Sequence, residues 1–178
     1  MIIIESIQKD KHHRLAFQCG EESLDRFLHE SAHQAAAKGL SKTYVAVDEA
    51  DETQIIGYYT ITTTHIEAGE LPESIVKTLK LPKREIPSPL VARLAVAEQK
   101  QHQGVGELML MDAIARCARV ASEIGGVAII VDALKESIVP FYERVGFVRF
   151  EPGSLKMFIP MITVRAMLGI SDEQRQAG

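Results

Sequence analysis

The sequence predicts a single α/β domain built on one mixed sheet flanked by helices. Two β-rich runs around residues 43–64 read as a hairpin, and residues 90–159 alternate strand, helix, strand, helix, strand. No linker, internal repeat or low-complexity segment interrupts the 178 residues, a length common for one domain.

Hydrophobic residues make up 46% of the chain, enough for a real core. Ile2–Ile7 opens as a strand and is followed by the basic stretch Lys9, Lys11, His12, His13 and Arg14. Leu24, Phe27, Leu28, Ser31 and Ala35 recur at helical spacing, and Lys38-Gly39 stops that helix. Thr43–Asp48 and Ile55–Thr64 are the hairpin strands, joined by the acidic turn Asp48–Gln54. Leu71–Pro89 holds Pro72, Pro82, Pro87 and Pro89 around a short helix, Ser74–Leu79. Leu90–Val96 is an apolar strand broken only by Arg93, and Gly106–Ile124 is a long helix closed by Gly125-Gly126. Val127–Val131 is a buried-type strand, Ser137–Arg144 a short helix, and Phe147–Phe150 and Lys156–Ile159 late strands. The domain is expected to span 1–170, with 171–178 a polar tail.

Net charge is −4 and the pI about 5.9. This argues against nucleic-acid binding by the whole surface but leaves room for a local basic patch. No apolar run approaches the roughly 20 residues of a membrane span. Met1–Glu5 has neither the basic region nor the apolar stretch of a signal peptide. Cys19 and Cys117 are far apart and suggest no disulfide framework, and asparagine is absent, so there is no N-glycosylation acceptor. A cytoplasmic protein is expected, with no membrane partner.

Gln101-His102-Gln103-Gly104-Val105-Gly106 lies between the strand ending at Val96 and the long helix. The first N–H groups of a helix lack partners, its dipole favours negative charge there, and glycines let an anion approach the backbone. A dinucleotide-binding turn would need a third glycine where Met109 stands, and Asp132 is too late to be its acidic ribose partner.

Gln101-x-x-Gly104-x-Gly106, directly after Arg93-Leu94-Ala95-Val96, resembles the acyl-CoA-binding motif of GNAT acetyltransferases. Phe141-Tyr142-Glu143-Arg144-Val145-Gly146-Phe147 resembles their second hallmark. The resemblance implies a mostly antiparallel, twisted sheet splayed at its central strand, with acetyl-CoA as co-substrate and no metal. It implies that main-chain groups of Leu94, Ala95 and Val96 meet the pantetheine arm. The loop Gln101, His102, Gln103, Gly104, Val105 and Gly106 would hold the pyrophosphate, chiefly by backbone N–H groups. His102 and Gln103 depart from the glycine and basic residue common there, so one cationic phosphate contact is missing.

The N-terminal half is similar to the GNAT toxins of bacterial toxin–antitoxin modules. The similarity lies in Phe17-x-Cys19-Gly20-x-x-x-Leu24-Asp25-x-Phe27-Leu28, Gly39–Val45, Gly57-Tyr58-Tyr59-Thr60 and Pro89-Leu90-x-x-Arg93-Leu94-Ala95-Val96. That branch implies acetylation of the α-amino group of aminoacyl-tRNA, blocking translation, and a ribbon–helix–helix antitoxin as partner; a homodimer is left open.

Within that frame Tyr142 is the candidate general acid for the departing thiolate, against a packing tyrosine whose hydroxyl reaches a backbone group. No general base is evident; Glu67 and Glu98 read as surface glutamates. An α-amino group, with pKa near 7.7–8.0 and lower still beside an ester, needs less help than lysine near 10.4. Arg93 is a candidate for substrate phosphate, against a salt bridge at the sheet edge. Lys77, Lys80, Lys83 and Arg84 form the densest cationic segment and the candidate RNA contact, against a merely solvated face. His29-Glu30-Ser31-Ala32-His33 matches a zinc-protease motif, but helical spacing turns both histidines away from the apolar stripe, toward solvent. A GNAT acting on a small-molecule or protein amine, and an inactive GNAT fold used for binding, remain the alternatives.

Overall fold

The computed structural model describes residues 1–170, so the expected polar tail at 171–178 lies outside the described residues. Seven strands form one sheet in the order β1-β2-β3-β4-β5-β7-β6. They are β1 (Ile2–Ser6), β2 (Lys42–Asp48), β3 (Asp51–Glu67), β4 (Glu85–Val96), β5 (Ala128–Asp132), β6 (Val148–Arg149) and β7 (Lys156–Pro160). The helices are α1 (Glu22–Arg26), α2 (Ala32–Ala37), α3 (Glu73–Leu79), α4 (Val105–Ile124), α5 (Val139–Val145) and α6 (Met161–Leu168). The chain divides into two compact units, one from Met1–Thr62 with Val91–Ala113, the other from Thr63–Leu90 with Ile114 onward.

In the first unit β1 pairs antiparallel with β2 (Ile4 opposite Ala46), and β2 with β3 (Val45 opposite Tyr58). Alternation sorts β3 by face, and a bulge between Ile55 and Gly57 brings Ile55 to the Tyr58 side. Tyr58 and Ile55 join Phe17, Leu28, Val45, Val47 and Ala95 in one core. On the opposite face, a Cβ on Gly57 would lie 2.6 Å from the Met109 side chain of α4 and 3.1 Å from the Ala95 carbonyl. Glycine at 57 is therefore what lets α4 close on the sheet, and the Tyr59 hydroxyl holds it there by donating to the Asp112 carboxylate.

The predicted first helix is not one continuous α-helix. Between α1 and α2 the chain makes a π-type turn, Phe27–Ser31. The wider turn rotates the residues of α2 about the helix axis, so Ala32 rather than Ser31 enters the core. The hairpin is also tighter than expected: β2 ends at Asp48 as expected, but β3 starts at Asp51 rather than Ile55.

In the second unit β7 pairs antiparallel with β5 (Ile130 opposite Phe158) and with β6. Ile66, Ala68, Leu71, Ile86, Ala128, Ile130 and Phe158 form its core. β4 starts at Glu85, well before the expected Leu90, and runs through Pro87 and Pro89. Proline φ fits an extended strand, and N–H groups two residues apart point to the same edge, so the missing donors fall on one side only. The unexpected α6 packs through Met161 and Val164, between Pro160 and Gly169, the latter at φ 68°.

Candidate functional site

The glycine loop is an open backbone turn at the head of a 20-residue helix. His102 has φ 58° and Gly104 φ 81°. A Cβ on Gly104 would meet nothing within 4 Å, so space is free above the loop and the glycine answers to conformation. The first α4 amide to reach a carbonyl is that of Leu108, which donates to Gly104 O at 3.1 Å. Among the described residues the N–H groups of His102 to Glu107 donate to no backbone carbonyl. Anion capture needs that condition.

Gln101 does something the sequence did not reveal. Its Nε2 donates to Cys19 O (2.8 Å) and Val96 O (3.0 Å), joining the loop to the end of β4 and to the segment before α1. The same segment is held by Glu98 N donating to Gln18 O (3.0 Å) and by Cys19 N donating to the Asp25 carboxylate (2.9 Å). The carboxamide thus shapes the loop, and one of its acceptors is the carbonyl of Val96, whose main-chain groups are among those expected at the pantetheine arm. The Gln103 side chain bonds Gln99 O at 2.9 Å, and the exposed His102 completes the turn. Leu94 is half-buried and Ala95 buried.

Tyr142 lies in the other unit, on α5. Gly146 (φ 118°) ends that helix, and Phe147 turns back so that its N–H reaches Tyr142 O (3.2 Å) and its ring packs edge-on to Tyr142 at 5.7 Å. Phe141 flanks the same ring at 5.1 Å. The Phe-Tyr-x-x-x-Gly-Phe pattern is thus a device for enclosing one phenol. Burial, then the Asp132 charge, push its pKa up to about 12. Among the described residues its hydroxyl has no hydrogen-bond partner. Tyr58 is the contrast: also buried, it donates its hydroxyl to Leu24 O at 2.7 Å, as a packing tyrosine does.

The cationic candidates separate. Lys77 is ion-paired with Glu73 one turn earlier at 2.6 Å. Lys80 caps α3 in a left-handed conformation (φ 50°), and Lys83 and Arg84 are exposed in the turn before β4. Arg93 makes no salt bridge among the described residues; its guanidinium lies 3.8 Å over the Phe27 ring.

Of the glutamates, Glu67 caps the short turn Ala68–Glu70. Glu98 borders an open hollow of about 440 Å³ with Glu22, Asp25 and His29. The H-E-x-x-H histidines do not face solvent as expected, because the π turn rotates them inward. His29 Nε2 bonds Phe17 O at 2.8 Å, and His33 Nε2 is buried without a partner among the described residues. Cys19 and Cys117 are buried free thiols, each pushed up to about 12 by burial and so unreactive at neutral pH.

Residues 15–167 match the acetyltransferase (GNAT) domain model, and the chain belongs to that family, which uses acetyl-CoA. It is 28% identical over 174 residues to the probable toxin TacT of Sinorhizobium fredii, covering 94% of this chain and 95% of that protein. It is 30% identical over 154 residues to the tRNA-acetylating toxin of Mycobacterium tuberculosis, covering 86% and 89%. The solved structure of AtaT complexed with acetyl-methionyl-tRNAfMet matches with a TM-score of 0.85 at 26% identity, over 94% of this chain and 99% of that one. Among the described residues no helix is long and apolar enough to cross a membrane.

Proposed function

We propose that this chain is a toxin that transfers the acetyl group of acetyl-CoA to the α-amino group of aminoacyl-tRNA and so stops translation. The observation that carries it is the loop of unengaged amides at 102–107 in a chain 30% identical to a tRNA-acetylating toxin. Backbone N–H groups of His102 to Gly106 hold the pyrophosphate on a loop braced by Gln101, with main-chain groups of Leu94, Ala95 and Val96 beside the pantetheine arm. Lys80, Lys83 and Arg84, with Lys77 at the margin, attract the RNA. Residues 1–170 form the catalytic domain.

The neutral amine attacks the thioester carbonyl, and the carbon–sulfur bond breaks as the amide forms. Tyr142 donates its hydroxyl proton to the departing sulfur. A phenol near 12 stays protonated at neutral pH but is a weaker acid than a thiol near 8.5. Its donation is therefore coupled to the proton that the attacking amine sheds, which restores the phenol. The low basicity of an aminoacyl ester makes a dedicated base unnecessary. This acceptor places the reaction in the cytoplasm, and a ribbon–helix–helix antitoxin is the neutralising partner.

The test is cell-free translation. Protein and acetyl-CoA together stop synthesis, and omitting acetyl-CoA or using Tyr142→Phe restores it. Continued synthesis with both present contradicts the toxin, and acetylation of a free amine under those conditions points to a small-amine enzyme.

A further inference from the structure

Arg93 interrupts the apolar run Leu90–Val96, and a half-buried guanidinium ordinarily acquires a carboxylate. Arg149 does so with Glu136, as does the exposed Arg26 with Glu22. Arg93 instead lies with its carbon 3.8 Å from the Phe27 ring centroid. The platform is itself fixed. Phe27 opens the π turn and stacks on Tyr58 at 6.3 Å and 23°, and Tyr58 meets Phe17 edge-on at 5.5 Å and donates its hydroxyl to Leu24 O. A ring orients a guanidinium through its quadrupole without neutralising the charge or occupying its five N–H donors.

We propose that Phe27 and Arg93 form a preorganised phosphate-binding element, in which the Phe27 ring holds the Arg93 fork flat to receive a phosphodiester at the acceptor end of the RNA substrate. Phe27 is a positioning residue; Arg93 makes the contact. The inference rests on the aminoacyl-tRNA reading and names one of its RNA contacts. Two phosphate sources share this chemistry, RNA and acetyl-CoA. The RNA is favoured because Arg93, with Phe27 and Ala95, is on the α1 face of the first unit, whereas Met109 of α4, the helix that the loop heads, packs on the other face.

The experiment measures steady-state acetylation of an aminoacylated RNA minihelix and of an aminoacyl nucleoside lacking phosphodiesters. Arg93→Ala is expected to raise KM for the minihelix roughly 10- to 100-fold, as for loss of a charged hydrogen bond. It should flatten the salt slope by about 0.7–0.9, with KM unchanged for the nucleoside and for acetyl-CoA. Phe27→Leu is expected to raise the minihelix KM about 2- to 5-fold, with no further rise when added to Arg93→Ala, and Phe27→Tyr to restore it. If Phe27→Leu does not fold, Arg93→Lys serves: it keeps the charge, loses the flat fork, and should retain most of the KM increase. An equal KM rise for the nucleoside, additive variants, or a raised acetyl-CoA KM overturns the proposal. A wild type that acetylates neither acceptor overturns the functional reading and this inference together; minihelix acetylation indifferent to these variants overturns the inference alone.

Discussion

The loop 101–106 and the basic segment 77–84 are both suited to anions, and they are built in opposite ways. The loop is backbone: two positive φ angles, unengaged amides, and a helix end fixed by the Gln101 carboxamide. The segment is side chains: exposed lysines and an arginine, one already ion-paired with Glu73. Preformed dipoles need no reordering to meet a charge, whereas flexible cations act collectively and are screened by salt. Damage to the loop should therefore be all-or-none, and damage to the segment graded and salt-dependent.

The largest effect is expected at Gly104. At a hundredfold excess over Kd, acetyl-CoA should stabilise the wild type by about 2.7 kcal/mol, or roughly 5–11 °C in Tm. Gly104→Val should lose that shift entirely. Gly153 supplies the control, since it shares φ 81° and open surroundings with Gly104 and is not part of the loop sequence. Gly153→Val suffers the same backbone strain and should keep the shift; if both variants lose it, strain and not the loop is responsible.

Next is Tyr142→Phe, which leaves the loop and the basic segment intact and so separates binding from chemistry. A fall in kcat of roughly 10²–10⁴ is expected, with the acetyl-CoA Tm shift retained. Because burial raises this phenol to about 12, the wild-type rate should show no descending limb from Tyr142 up to about pH 10. Unchanged turnover in the variant makes Tyr142 a packing residue like Tyr58.

How much of this was legible in the sequence depends on where the signals reside. The loop was visible because glycine spacing and a helix start are local, and Tyr142 because Gly146 and Phe147 enclose it within a few residues. Phe27 and Arg93 were not connected, because their contact depends on a π turn, and an i→i+5 turn leaves no mark in apolar periodicity. That turn also reversed the expected outward direction of His29 and His33. The Gln101 bond to Cys19 joins distant segments, so the sequence assigned that residue to the cofactor and missed its structural work. β4 was cut short because prolines read as loop. α6 was missed although Pro160 and Gly169 flanked it, because Ile162, Thr163 and Val164 are β-branched.

A graded effect belongs to the basic segment. Alanine at Lys80, Lys83 and Arg84 together should weaken aminoacyl-tRNA acetylation and reduce its salt slope by up to about 2–2.7, at 0.7–0.9 per phosphate contact. Acetyl-CoA hydrolysis in water should be untouched. Equal slopes in wild type and variant remove this segment from the RNA site.

The smallest effect lies outside both regions. Burial, then the Arg14 charge, lower the His33 pKa, so the folded state favours the neutral ring. Its stabilising contribution is complete above the unfolded value of about 6.5 and is lost as pH falls below that toward the folded pKa. His33→Gln should make the acid-side decline in Tm shallower; an unchanged decline assigns it to other groups.

The most direct measurement is the mass of the amino acid released by mild base from aminoacyl-tRNA after incubation with the protein and acetyl-CoA. An increase of one acetyl group on the α-amino nitrogen, absent when Gly104→Val replaces the wild type, is the predicted result. An unmodified amino acid from the wild type, under conditions where a free amine is acetylated, would contradict it.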